Sequence, residues 1–380
     1  SSVLKALAGD LDRDDEEDDD EDDEDGADVI QFHPAFTYPI YGEHERVFGY
    51  KGLRLKLSYA AGSLATLFEV EFAKRVEQME TTVPLRADDV DGPMRKVLAE
   101  EAVCRTREEF AQRVARDTCE FRPPGQKVHE YQQAKGAAEG LRYEIYESGF
   151  DNEEFRRYHR RMQTMVLFFI EGAQFIDDAD ERWRVFTVFE RLELAGAVSY
   201  SLVGFCTMYR FYHWPDQRRA RISQFLVLPP FQGQGHGAAL YQYIHGSVMA
   251  SPEFADLTVE DPSEAFDDMR DRSDMRMLAA HKAFDTLGGG AADASALRAL
   301  QKRFKLSRRQ TRRCVEMALL RKTDGRNQDD ARRYRLFVKQ RIYAQNADSL
   351  QGLDDDEKKT KIAESYAAVV DDYRRILSLL

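Results

Sequence analysis

One stretch, Arg221 to Ala238, constrains this chain more than any other. Its first part, Ile222–Ser223–Gln224–Phe225–Leu226–Val227–Leu228, is nearly continuous in apolar character, the pattern of a central strand covered on both faces. Pro229 and Pro230 end it, because proline cannot donate to a ladder. Gly233, Gly235 and Gly237 then let neighbouring amides turn toward one point, and Ala238 to His245 carry helical spacing. A glycine turn that opens a helix is an anion site, since free N–H groups and the positive end of the dipole converge there. The plainer alternative is a strand–turn–helix unit whose glycines serve tight packing. Three alternating glycines behind a glutamine count against it.

The rest of the chain sets the frame. Its 380 residues have room for two or three domains. No apolar run is long enough to span a membrane, and the first residues lack the basic start and apolar stretch of a secretory leader. Cys104, Cys119, Cys206 and Cys314 are far apart, which speaks against disulfides and a zinc site and fits a reducing compartment. The net charge of −13 is not a bulk property: residues 10–25 hold fourteen acidic residues and one arginine, and so account for all of it. Residues 1–27 therefore read as a disordered acidic tail, either solubilising or a lure for a basic partner such as a histone.

Beyond the tail the pattern is globular. Val29–Phe32, Leu53–Tyr59, Leu67–Phe72 and Leu141–Tyr146 read as strands, and a short helix is expected from Asp88 onward. Residues 28–148 form a mixed N-terminal domain on this reading. A catalytic domain over 149–272 follows: a helix from Phe155 to Ile176, strands at Trp183–Phe189, Val198–Phe211 and Phe254–Glu260, and the glycine stretch between the last two. Residues 273–380 read as a helical C-terminal region, with Ser307 as an N-cap. Arg308–Arg309 and Arg312–Arg313 share a helix face. That face is expected to be solvated, with an import signal, a nucleic-acid patch or a contact to the acidic tail as alternatives.

Gln232–Gly233–Gln234–Gly235–His236–Gly237 resembles the acetyl-CoA signature of the GNAT N-acetyltransferases, in the expected strand-before, helix-after context. The wider run from Phe231, together with Glu260–Asp261–Pro262–Ser263, Phe169–Ile170–Glu171, Asp180–Glu181–Arg182–Trp183, Phe48–Gly49–Tyr50–Lys51–Gly52–Leu53 and Asp372–Tyr373–Arg374–Arg375, is similar to one branch, the type B histone acetyltransferases. The resemblance runs from about residue 29 to the C-terminus. It implies an α+β fold with a GNAT core, a mixed and splayed sheet flanked by helices.

The implied chemistry is direct acetyl transfer from acetyl-CoA, without a metal, to lysines of the tail of newly made histone H4. A lysine amine has a pKa near ~10.4, so a carboxylate must take its proton. Glu260 matches the family's proposed base, and Glu171 and Asp261 match the other acidic residues near the amine. On the residues alone, Glu171 could instead cap or pair within a helix, and Asp261 could be an Asp-Pro turn residue. The strand Phe225–Leu226–Val227 is expected to hydrogen-bond the pantetheine arm. The loop Gln232, Gly233, Gln234, Gly235, His236, Gly237 and Ala238 is expected to wrap the pyrophosphate, with His236 contributing its backbone. Trp183 and Tyr209 suit the wall of a lysine channel, with Trp183 as plain core the alternative. The resemblance places the histone tail near Tyr209–Arg210–Phe211 and Glu43–His44–Glu45. It also implies a WD-repeat β-propeller histone chaperone as partner, no direct contact to nucleic acid, and a cytoplasmic and nuclear location. Two other readings stay open: a GNAT enzyme for another amine or protein, and a histone-binding chaperone subunit with a degraded site.

Overall fold

The computed structural model describes residues 29–78, 84–132, 141–194, 196–323 and 326–380. The acidic tail lies outside the described residues. The chain forms two compact units. The first takes the described residues of Ser1–Asp178, Thr187–Phe205 and Leu226–Gln234; the second takes Ala179–Phe186, Cys206–Phe225 and Gly235–Leu380.

The first unit holds α1 (Tyr38–Tyr41), β1 (Tyr50–Lys51), β2 (Arg54–Tyr59), β3 (Thr66–Glu71), β4 (Lys74–Arg75), α2 (Asp91–Val97), β5 (Val103–Cys104), α3 (Arg107–Glu120), β6 (Gln126–Tyr131), β7 (Leu141–Ser148) and α4 (Glu153–Phe169). The period-two alternation of Leu53–Tyr59 yields β2, which pairs antiparallel with β3. Val29–Phe32, expected as a strand, is irregular and exposed. Among the described residues its four residues join no ladder, and Phe32 meets the Phe169 ring at 5.9 Å. Asn152 caps α4 by accepting from the amides of Glu154 and Phe155, and the helix buries Phe155, Tyr158, Met162, Met165 and Val166. It ends at Phe169 rather than Ile176: Ile170 is already extended, and a turn with Gly172 at a positive φ of 67° follows. Tyr158 stacks on Phe121 at 5.6 Å and donates to the Gly62 carbonyl at 2.8 Å, so the polar tip of a buried ring is satisfied.

β8 (Trp183–Leu194), β9 (Ala197–His213) and β10 (Gln217–Val227) each contribute residues to both units. Within the first unit the strands run β6–β7–β8–β9, with β6 and β7 antiparallel. Within the second they run β8–β9–β10–β11, where β11 (Phe254–Val259) is parallel to β10. The sheet is therefore mixed, as expected of the α+β class. β10 is not covered on both faces. Its burial alternates strictly, with Ile222, Gln224 and Leu226 buried and Arg221, Ser223, Phe225 and Val227 half-buried. The apolar run misled in part, because Phe225 and Val227 share a half-buried face with Arg221 and Ser223.

The second unit continues with α5 (His236–Ala250), α6 (Glu264–Ala280), α7 (Ala294–Phe304), α8 (Arg308–Lys322), α9 (Gln328–Gln345) and α10 (Asp355–Ser378). The expected division at 272/273 thus falls inside α6. Ser307 caps α8 as its sequence position suggested. Phe304, Leu306, Val315, Leu319, Val338, Ile342 and Ile376 form one apolar core. Leu306 bridges to Leu257, and the Leu257 amide donates to the Lys305 carbonyl at 2.8 Å. The helical region so closes the outer edge of β11, an edge that would otherwise invite foreign strands. The arginine face of α8 is solvated only in part: Arg308 and Arg309 are exposed as expected, while Arg312 and Arg313 are half-buried and engaged. Arg313 bonds Asp271 at 2.5 Å and Asp372 at 2.6 Å, while Arg312 lies over the Phe337 ring at 4.7 Å.

Candidate active site

The glycine turn does what its sequence asks. Gly235 is the N-cap of α5 in the left-handed region, φ 92°, and no side chain caps the helix. Gly233 has φ 71°. A Cβ built on either glycine would meet nothing within 4 Å, so the space in front of the turn is open. The start of α5 presents the amides of Gly237 and Ala238 toward that space, a setting suited to an anion. His236 is almost fully buried, and burial pushes its imidazole down to about 4, so it is neutral at physiological pH. The two glutamines of the loop brace it: Gln232 Nε2 donates to the Val227 carbonyl and Gln234 Nε2 to the Pro230 carbonyl, both at 2.9 Å. The Val227 carbonyl is thereby engaged within the loop.

The ladder between β10 and β11 ends at Ile222–Val259, although β10 runs on through Phe225 and Leu226 to Val227. One further bond, from the Glu260 amide to the Ile222 carbonyl at 2.9 Å, closes the pairing. Beyond it β11 has ended, and β10 presents an edge that β11 does not cover. Glu260 sits at that fork with an exposed side chain, and the Ser223 hydroxyl donates to its Oε2 at 2.7 Å. Ser223 was not singled out by sequence reasoning. No sequence signal announced it, because the register of a parallel pair is set by packing and not by a tight turn. Phe225 packs its ring against Phe266 at 5.0 Å.

Asp261 follows with φ 32°, a left-handed conformation that aspartate tolerates better than most residues. The chain turns away there into Pro262 and the Ser263-capped start of α6, and the Asp261 side chain is exposed. The second unit also gathers an aromatic cluster. Trp183 meets Tyr209 edge-on at 4.8 Å, and Tyr209 meets Phe211 at 4.5 Å. The Tyr209 hydroxyl donates to Asp180 at 2.9 Å, and Arg182 both pairs with Asp180 at 2.7 Å and lies over the Tyr209 ring at 4.8 Å. Those contacts hold the Asp180 carboxyl well below the usual range, the Arg182 side chain first. Arg210 donates to the carbonyls of Glu181 and Arg182, so its charge braces the chain here. Trp183 is half-buried, a wall rather than core.

Two predicted groups belong to the first unit. Glu171 lies outside α4, exposed in the turn beyond it, and is neither a cap nor a mid-helix partner. Glu43 and His44 are exposed in a turn, whereas Glu45 is engaged: its Oε1 accepts from the Thr37 amide, the Thr37 hydroxyl and the Tyr38 amide at 2.6–2.9 Å. These bonds hold the Glu45 carboxyl below its ordinary value.

An uncapped glycine turn opening a helix, set after a strand whose parallel neighbour ends before it does, defines an N-acetyltransferase of the GNAT class, and residues 146–250 match the model of the acetyltransferase (GNAT) family. Residues 6–171 match that of the histone acetyl transferase HAT1 N-terminus, and residues 271–324 that of the fungal HAT1 C-terminal region. The chain belongs to the family of the histone acetyltransferase type B catalytic subunits. It is 36% identical over 378 residues to that of Cryptococcus neoformans, covering 92% of this chain and 90% of the relative. It is 39% identical to that of Mycosarcoma maydis, covering 90% and 82%. With that of Homo sapiens it shares 34% identity, covering 93% and 88%.

Proposed function

We propose that this chain transfers the acetyl group of acetyl-CoA to lysines in the N-terminal tail of newly synthesised histone H4, with Glu260 as the general base. The amine nitrogen attacks the thioester carbonyl carbon, the carbon–sulfur bond breaks, and the thiolate leaves and takes up a proton. Glu260 accepts the proton that the amine loses. The amides at the start of α5 hold the pyrophosphate, and the uncovered edge of β10 offers hydrogen bonds to the pantetheine arm. The observation that carries the reading is Glu260 itself: an exposed carboxylate at the fork of β10 and β11, oriented by Ser223.

Trp183, Tyr209 and Phe211 supply an aromatic wall for a lysine stem. Family membership supports a histone as substrate; a WD-repeat β-propeller chaperone as partner and work in both cytoplasm and nucleus belong to the proposal through the resemblance alone. Among the described residues, no helix is long and apolar enough to cross a membrane, and no cluster of three metal-ligating side chains occurs.

The test is transfer of labelled acetyl to an H4 tail peptide. Glu260→Gln is expected to lower kcat by roughly 10²–10⁴-fold, the contribution of a general base, with the KM for acetyl-CoA little changed. Unchanged turnover would move the role to Glu171 or Asp261. Equal activity on a free polyamine would make the substrate another amine, and histone binding without transfer would make the chain a chaperone subunit.

A further inference from the structure

We infer that Ser223 is a positioning residue for Glu260, an inference that rests on the reading of Glu260 as the base. Glu260 lies just past the last residue of β11, where its backbone is tied to β10 by one bond only, from its amide to the Ile222 carbonyl. Its side chain is exposed and, left alone, would sample several rotamers. Among the described residues, the Ser223 hydroxyl is the one side chain that bonds it, at 2.7 Å, the distance of a charge-assisted O–H···O⁻ bond.

Ser223 is held in turn by the strand. It stands on the half-open face of β10, between Arg221 and Phe225 in the alternation. Arg221 is turned onto the Phe211 ring at 4.6 Å, and Phe225 onto Phe266. Neither neighbour therefore competes for the carboxylate. The geometry also divides labour between the two oxygens of Glu260. Oε2 accepts from Ser223, while Oε1 has no partner among the described residues and stays open to a proton. A single donor suits a base here: a second donor or a cation would occupy the oxygen that must receive the amine's proton.

Steady-state kinetics on the full chain with acetyl-CoA and an H4 tail peptide test this. Ser223→Ala is expected to lower kcat roughly tenfold, the lower end of what a hydrogen bond to an ionised group is worth, with both KM values within about twofold. Ser223→Thr, which keeps the hydroxyl on a residue suited to strands, restores nearly full turnover. Ser223→Cys, of similar size but a poor donor, behaves like Ser223→Ala and checks the reading if the alanine variant folds badly. In a Glu260→Gln background, Ser223→Ala adds no further loss, because the two act as one unit. Wild-type kcat in Ser223→Ala, beside an inactive Glu260→Gln, overturns the role of Ser223 and leaves that of Glu260. Multiplying losses in the double variant also overturn it, since they mark a merely structural serine. Wild-type turnover in Glu260→Gln refutes the base assignment itself.

Discussion

Arg341→Met should loosen the helical part of the second unit far more than a surface arginine would. Glu316 on α8 is fully buried. Arg341 on α9 meets it from Nε at 2.9 and 3.0 Å and from Nη2 at 2.9 Å. The Tyr373 hydroxyl on α10 donates to the same carboxylate at 2.9 Å, and Arg312 Nε reaches it at 3.3 Å. One carboxylate thus joins three helices. Taking one partner from a buried ion pair costs ~3–5 kcal/mol, because the remaining charge is stranded. Here Arg312 and Tyr373 stay behind, and methionine keeps most of the stem, so about 2.7 kcal/mol is expected, below the full cost. At ~1.4 kcal/mol per decade this is roughly a hundredfold. The assay is native-state hydrogen exchange by mass spectrometry on peptides from α8, α9 and α10, under conditions where exchange reports the opening equilibrium. Amides protected by their joint opening should exchange roughly a hundredfold faster. Glu316→Leu combined with Arg341→Met should recover most of the protection, since two apolar groups leave no charge unpaired. A change below about threefold in the single variant, or no recovery in the double, would refute the reasoning that the stranded carboxylate carries the cost.

Gly235→Ala places a Cβ on a residue at φ 92°, and should raise the KM for acetyl-CoA by roughly tenfold through strain of ~1–2 kcal/mol at the helix start; coenzyme titration that leaves the KM unchanged would show that the turn relaxes freely. His159, buried beside Phe150 at 4.8 Å, has its imidazole pushed down to about 4 by burial. The unfolded chain binds that proton near pH ~6.5 and the folded unit does not, so the stabilisation is present above that pH and lost as pH falls toward about 4. His159→Leu should therefore flatten the acid dependence of the first unit's urea midpoint by up to about 3 kcal/mol in free-energy terms, and an unaltered slope between about pH 7 and pH 4.5 would count against it.

What was legible in the chain follows a physical division. Signals carried by neighbouring residues survived folding: the alternation of β2, the Ser307 cap, and the glycine turn, whose φ values at Gly233 and Gly235 are what glycines at those places exist to adopt. Signals that depend on what lies across space did not. Phe225 and Val227 look like core in a row of apolar residues, yet they are only half-buried, because how far a strand is covered is decided by elements remote in sequence. Arg312 and Arg313 look like a solvated stripe, yet they meet Glu316 and Asp271, carboxylates whose burial no spacing announces. The site shows the same split. The donor half is local, one turn of chain, and reads directly. The acceptor half requires Glu260 to stand beside Ser223 across a parallel ladder, thirty-seven residues apart in sequence. A parallel pair leaves that register unstated in the sequence, because its crossover, here α5, fixes the alignment through packing rather than through a tight turn. The carboxylate proposed as proton acceptor could therefore be named from the chain by resemblance, while the serine that bonds it becomes visible only once β10 and β11 are laid side by side.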